Sequence, residues 1–294
     1  MILLIIAVGY VITKFRMFSE KARTDLTNIV IYIVLPCNIF KSFNKDITPE
    51  ILRQCAFALL ISFGMQVFYL VISKLLYIRF KPERRAVAEY ATITSNAGFM
   101  WLPIIEAVFG QTGVLYASII LIPMRIFMWT AGLSLFTKMD VKQKIKKLGT
   151  HPCIWAVIFG LAYSLSTFEL PAFLTSAISA VSACTTALSM LVVGSILTGV
   201  ELKTVFDKDC FYYSFFRLVA IPAIVLAALI SLKADPLTTG VAVLMSAMPA
   251  ALATAMLSEK YGKDSNYASK TIMISTALSI VTLPIIATVL AILL

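Results

Sequence analysis

The sequence predicts an all-α integral membrane protein: ten transmembrane helices in two inverted five-helix repeats, with broken, crossing helices 4 and 9. Three observations predict it. Of 294 residues, 60% are hydrophobic and 14% charged, where soluble domains run at roughly 45–50% and about 25%. Apolar runs long enough to cross ~30 Å of hydrocarbon recur from end to end. Two stretches half a chain apart, FGQTGVLYAS (109–118) and YGKDSNYAS (261–269), share an aromatic-Gly start and a Tyr-Ala-Ser end.

The apolar segments lie near 1–13, 26–42, 51–77, 86–109, 112–137, 150–168, 171–199, 210–232, 237–258 and 266–294. The first, MILLIIAVGYVIT (1–13), is short of the roughly 20 residues that a spanning helix needs. A signal peptide would carry a basic start and a small-residue cleavage site, and neither is there. A start codon assigned too late, or a trimmed chain, is the expectation. Loop charges orient the remainder. Loops after odd-numbered segments carry 18 Lys and Arg, whereas loops after even-numbered segments carry 4: Lys41, Lys45, Arg53 and Lys233. The odd loops are therefore expected in the cytoplasm, with both termini outside. The net charge of +10 is then a topology signal. Basic residues spread over short loops make no nucleic-acid patch.

The repeated stretches are offset by about 152 residues, which leaves five segments in each half. An odd number per half turns the second half over, so the repeat is inverted, as in many secondary transporters. The halves are 1–137 and 151–294, joined by a linker at 138–150. The fourth segment carries Ser95-Asn96-Ala97-Gly98 in its middle, with Pro103 soon after. The same offset carries that stretch to SAMPAAL (246–252), where Pro249 stands mid-segment. Matched interruptions are the sequence pointer to a transporter's binding site. A broken helix frees backbone N–H and C=O groups, tolerated at membrane depth only against protein or water. The freed N-terminal ends carry partial positive charge and suit an anion. Ser95, Asn96, Gly98 and Pro249 are the substrate-site candidates on this reasoning. Pro is common in membrane helices, and Pro36, Pro123, Pro222 and Pro284 read as kinks.

Charge within the membrane narrows the function. Every Asp falls in a loop or at a helix end, Glu89 lies near the start of the fourth segment and Glu106 near its end. No carboxylate stands at either interruption, which argues against cation transport as the main task. Arg125 is different, because it sits near the middle of the fifth segment. A buried Arg needs a cavity or a partner: a substrate carboxylate, Glu89, or a broken-helix carbonyl. Arg217 and Lys270 lie close enough to helix starts to snorkel. The five Cys show no paired spacing and read as small buried hydrophobes, and His151 reads as a helix-start residue. One His and scattered Cys build neither a metal site nor a nucleophile–base pair, so no cofactor and no enzyme is expected.

Four stretches carry a family likeness. AVGYVITKFRMFSEKARTDLTNIVIYIVLPCNIFKSF (7–43) has a Gly-Tyr first helix, a basic turn and a Leu-Pro-x-x-x-Phe second helix. TSNAGFMWLPIIEAVFGQTG (94–113) has an Asn-x-Gly, Pro and Phe-Gly-x-x-Gly run. HPCIWAVIFGL (151–161) and ALSMLVVGSIL (187–197) have the His-Pro start of a sixth helix and a Leu-x-x-Gly pattern in a seventh. In these the chain resembles the auxin efflux carrier family, which includes plant auxin carriers and bacterial carriers often labelled malonate transporters. His151 stands where that family has Asn. The resemblance implies a scaffold of helices 1, 2, 6 and 7 and a moving transport domain of helices 3–5 and 8–10. It implies small organic anions carried by an elevator-like movement, and dimerisation through the scaffold; a proton is a candidate partner on which the sequence is silent. The plant carriers' long cytoplasmic loop is missing, since 138–150 is short and basic. That favours a bacterial-type carrier in the plasma membrane over an auxin carrier. Asn38 stands in helix 2 where apolar residues are usual, either facing substrate or bonding a neighbouring helix. The rival readings are a sodium-coupled carrier of the bile-acid type, which would share the fold with more polar sodium ligands, and a membrane receptor, which needs no inverted repeat.

Overall fold

The computed structural model describes residues 2–43, 48–96, 100–136, 149, 152–166, 169–198 and 207–294. The linker at 138–150, apart from Gly149, lies outside the described residues, and so do Gly98 and His151. The described chain is helical throughout, and its one β-type contact is an isolated bridge between Ser95 and Ala250.

Several helices begin where the sequence supplies a cap or a proline. Helix α1 is Ile2–Lys14. Ser19 caps α2 (Glu20–Ile29) by accepting from Ala22 N–H, and a π turn at Val30–Val34 joins α2 to α3 (Leu35–Ser42). Thr48 caps α4 (Pro49–Leu76), with proline at its first position where no N–H is needed. Pro82 opens α5 (Pro82–Ile93) in the same way. Helix α6 (Trp101–Phe127) is two arms hinged at Gly110, whose φ of 63° and ψ of −160° suit only glycine. The hinge falls between the segment ends expected at 109 and 112.

The second half runs α7 (Pro152–Leu165), α8 (Ala172–Leu197), α9 (Lys208–Phe215), α10 (Ile221–Ser231), α11 (Pro236–Ser246), α12 (Ala253–Lys260) and α13 (Ser265–Leu293). A π turn at Phe216–Ala220 joins α9 to α10. Pro36 and Pro222 each follow a π turn by two residues. A proline ring clashes with the carbonyl one turn earlier, and the wider turn relieves it. Asp235 and Asp264 cap α11 and α13.

Among the described residues five rods are long and apolar enough to cross a membrane: Pro49–Leu76, Trp101–Gly132, Ala172–Ser195, Lys208–Ser231 and Ser265–Leu293. Leu4–Lys14, Pro152–Leu165 and Pro236–Ser246 are shorter apolar helices. Their outer faces are greasy: Leu60, Val67, Val71 and Leu75 on α4 and Val281, Ile285 and Ile292 on α13 are exposed. Such a surface is stable against lipid and not against water.

Two packing groups are visible. In the first, α1 lies along α8, and α3 packs on α7 and α8. A Cβ on Gly9 would overlap the Leu191 backbone, and one on Gly194 the Ile6 backbone. Small residues thus bring α1 and α8 into backbone contact, where van der Waals packing replaces the missing hydrophobic drive. In the second group, α4 packs on α5 and α6, α6 on α11, α9 on α13, and α12 on α13. One end of this group is tied by Arg84, which bonds Asp209 at 2.8 Å, Asp264 at 3.0 Å and Asp207 at 3.1 Å. The tie joins the starts of α5, α9 and α13.

Candidate functional site

Both expected interruptions are there, and they touch. The chain leaves the helix after Ile93 and resumes it at Trp101; it leaves again after Ser246 and resumes at Ala253. Asn96 N–H donates to the Pro249 carbonyl at 2.8 Å, and Ser95 pairs with Ala250 in the antiparallel bridge. Ala250 N–H donates to Ser275 Oγ at 3.2 Å, and Ser95 Oγ reaches Met124 Sδ at 3.3 Å. Ser95, Asn96 and Pro249 are buried. The backbone groups freed by one break are thus met partly by the other break, as burial in hydrocarbon demands.

Three carbonyls in the last turn of α5 are met by donors. Thr94 Oγ1 donates to Tyr90 O at 2.7 Å, and Tyr213 Oη to Ala91 O at 2.9 Å. Arg217 Nη1 donates to Thr92 O at 3.0 Å, and its Nε donates to Met248 O, just past the end of α11, at 2.9 Å. One guanidinium therefore bridges the ends of both broken helices. Arg217 is 1% exposed and lies 5.3 Å from the centre of the Tyr69 ring. This corrects the expectation that Arg217 snorkels to the membrane edge. It sits within the π turn, and nine residues after Lys208 the helix axis has climbed about 13 Å, close to mid-membrane. A narrow cavity beside it is lined by Ser62, Gln66, Tyr69, Ser95, Met124 and Arg217, among others.

Arg125 is buried too, at 9% exposure, but is poorly met. Its Nη1 reaches Met128 Sδ at 3.4 Å and its Nε has no partner. Cys153 and Tyr90 are the groups within electrostatic range. Two of the partners expected for it go elsewhere. Glu89 accepts from Arg85 Nε at 2.6 Å, and Thr92 O and Met248 O at the broken helices are met by Arg217. No carboxylate among the described residues pairs with Arg125.

Asn38 lies apart from the breaks. Its Nδ2 donates to Glu106 Oε2 at 3.1 Å and to Thr185 Oγ1 at 3.0 Å, so it ties α3 to α6 and α8. Gln111 Nε2 donates to Glu106 Oε1 at 2.6 Å. Asn38 Oδ1 has no partner. Lys270 is half-buried near the start of α13. Cys55, Cys153 and Cys210 are buried, Cys37 is intermediate and Cys184 exposed. Among the described residues no three His, Cys, Asp or Glu converge as metal ligands would.

Paired breaks in an apolar helical protein, with their ends satisfied by each other and by a buried cation, are the architecture of a carrier. Residues 1–287 match the model of a family described as "Membrane transport protein". The chain belongs to that family, the auxin efflux carrier family. Similar relatives include an uncharacterized transporter of Methanocaldococcus jannaschii, 25% identical over 95% of this chain and 93% of its own. A Rhizobium meliloti protein named "Putative malonate transporter" is 24% identical, over 95% of this chain and 90% of its own. An uncharacterized transporter of Methanothermobacter thermautotrophicus is 24% identical over 98% and 96%. This member of the membrane transport protein family is a multi-pass membrane transporter and not an enzyme.

Proposed function

We propose that this transporter is a secondary carrier of small organic anions, with carboxylates as the substrate class. The observation that carries the reading is Arg125, a buried guanidinium with an orphaned Nε and no carboxylate among the described residues. An uncompensated charge in a low-dielectric site is costly, and a substrate carboxylate supplies the missing partner. Ser95 and Asn96 supply neutral polar groups at the break next to Met124, the neighbour of Arg125. The helices that restart at Trp101 and Ala253 direct N-terminal partial positive charge toward the same region. The Rhizobium meliloti relative's name points to the same substrate class.

On this reading the chain spans the membrane ten times in two inverted halves, with both termini outside, and Ser95, Asn96, Gly98, Pro249 and Arg125 hold the substrate. The first packing group is the scaffold, the second the moving body, and substrate crosses by an elevator-like shift between them. Gly9 and Gly194 weld α1 to α8 within the scaffold, whereas α6 meets the scaffold largely through the Asn38–Glu106 contact and apolar neighbours. An apolar crevice lined by Ile6, Ile104, Val108, Leu283 and Pro284 runs along the same seam.

Purified protein in liposomes, loaded with labelled malonate and other small carboxylates as probes, tests the reading. Saturable carboxylate flux that is lost in Arg125→Ala is expected. Equal flux in the variant would move the site elsewhere. Labelling at 138–150 by a membrane-impermeant thiol reagent, in a variant with a cysteine there, tests the orientation: intact cells should leave it unmodified.

A further inference from the structure

We infer that Arg217 is the carrier's built-in cation: it fills the position at the broken helices where a coupled carrier would bind a sodium ion, so this transporter binds no sodium there. The inference rests on the junction of the breaks being the transport site, and it adds the ion coupling that the substrate assignment leaves open.

The argument begins with helix ends. A broken helix leaves unmet carbonyls at its C-terminal side, worth roughly half a negative charge. Two such ends, those of α5 and α11, come together here. In cation-coupled carriers with broken helices, unwound carbonyls and half-helix C-terminal ends are the ligands of the travelling cation. Here Thr92 O and Met248 O are already taken by one guanidinium, at 3.0 Å and 2.9 Å. Two ends of about half a charge each match its single charge. No carboxylate among the described residues pairs with Arg217, so these ends and the Tyr69 ring are its counter-charge. An arginine keeps its proton under any physiological condition, so the charge cannot leave with each cycle as sodium does. The neutralised C-terminal ends leave the positive N-terminal ends at Trp101 and Ala253 unopposed, which suits an anion.

Two features show that the position is built. The π turn at Phe216–Ala220 carries Arg217 to mid-membrane, and π turns inside helices concentrate at functional positions. Thr94 and Tyr213 meet the Tyr90 and Ala91 carbonyls and Tyr77 meets the Thr92 hydroxyl, which leaves Thr92 O and Met248 O to the guanidinium.

The test reads cation binding in the purified full-length protein, with no substrate present. Thermal unfolding of the wild type is compared in sodium chloride and choline chloride at equal ionic strength. The expected result is the same midpoint in both. Arg217→Ala is expected to unfold several degrees lower. Millimolar guanidinium chloride should restore part of that loss, and equal urea, its neutral isostere, should not. Arg217→Lys, which keeps the charge, should lose less than Arg217→Ala. A sodium-specific rise in the wild type overturns the inference. So does an Arg217→Lys variant no more stable than Arg217→Ala, or unfolded outright. If Arg217→Ala cannot be purified folded, the wild-type and Arg217→Lys arms decide alone. Chloride is common to the salt arms and no carboxylate is present, so their failure leaves the carboxylate reading standing, and loss of malonate flux leaves this one standing.

Discussion

Arg217 and Arg125 are both buried in the membrane part of the chain and neither has a carboxylate among the described residues, yet their surroundings are opposite. Arg217 donates to two carbonyls and faces an aromatic ring. Arg125 touches one methionine sulfur and keeps an orphaned Nε. A buried charge whose donors are met belongs to the architecture. A buried charge whose donors are unmet is waiting for something the chain does not supply. The contrast fixes the sign of what each substitution does to stability, which makes it easy to break.

The largest effect is expected at Arg217. Removing it orphans two buried carbonyls, each costing about 1–3 kcal/mol, so Arg217→Ala should lose about 2–6 kcal/mol. Thermal or denaturant unfolding in mild detergent measures it. A loss below about 1 kcal/mol would mean that water meets the carbonyls equally well, and the comparison would collapse.

At Arg125 the stability sign should reverse. Arg125→Met deletes an uncompensated buried charge for a side chain of similar length, so folding should be unchanged or improved. Carboxylate flux and malonate-induced thermal stabilisation should fall to background. Arg125→Lys sharpens the role: a bidentate clamp fails with Lys, whereas a charge that only sets the field largely survives. If Arg125→Met destabilises the protein as strongly as Arg217→Ala, both arginines are structural and the substrate site must be sought elsewhere.

The sequence showed one of these residues and hid the other. The breaks were legible because Asn96–Gly98 and Pro249 stand at matched places half a chain apart. Arg125 was legible because it sits in the middle of an apolar run. Counting turns from the helix start puts Arg217 at the membrane edge, although nine residues into a 24-residue rod is near its middle. The π turn that aims it is set by Pro222, whose effect on helix register no hydropathy pattern displays. The Asn38–Glu106 contact joins positions 68 apart in sequence and follows from packing alone.

Asn96 should give the third effect. Its backbone N–H, and not its amide, holds Pro249, so Asn96→Ala should fold normally. If its amide donates to the substrate carboxylate, losing a hydrogen bond to a charged group costs about 1.5–3 kcal/mol, or roughly ten- to a hundred-fold in affinity. Malonate titration followed by thermal shift or flux reads this. Unchanged affinity would confine substrate recognition to Arg125 and the backbone.

The smallest effect is expected at Asn38, and it tests the seam between the packing groups. Interhelical hydrogen bonds in membranes average about 0.6 kcal/mol and reach about 1.7. Asn38→Ala should therefore change stability little. If the Asn38–Glu106 bond must open for the second group to shift past the first, losing about 0.6 kcal/mol of it should raise the maximal flux by about threefold. The half-saturating substrate concentration should stay put. If Asn38 instead contacts substrate, the flux at saturation should hold and the half-saturating concentration should rise. The two kinetic patterns are mutually exclusive, and Thr185→Val, which removes an acceptor within the first group and leaves the Asn38–Glu106 bond in place, should leave maximal flux unchanged if that bond is the latch.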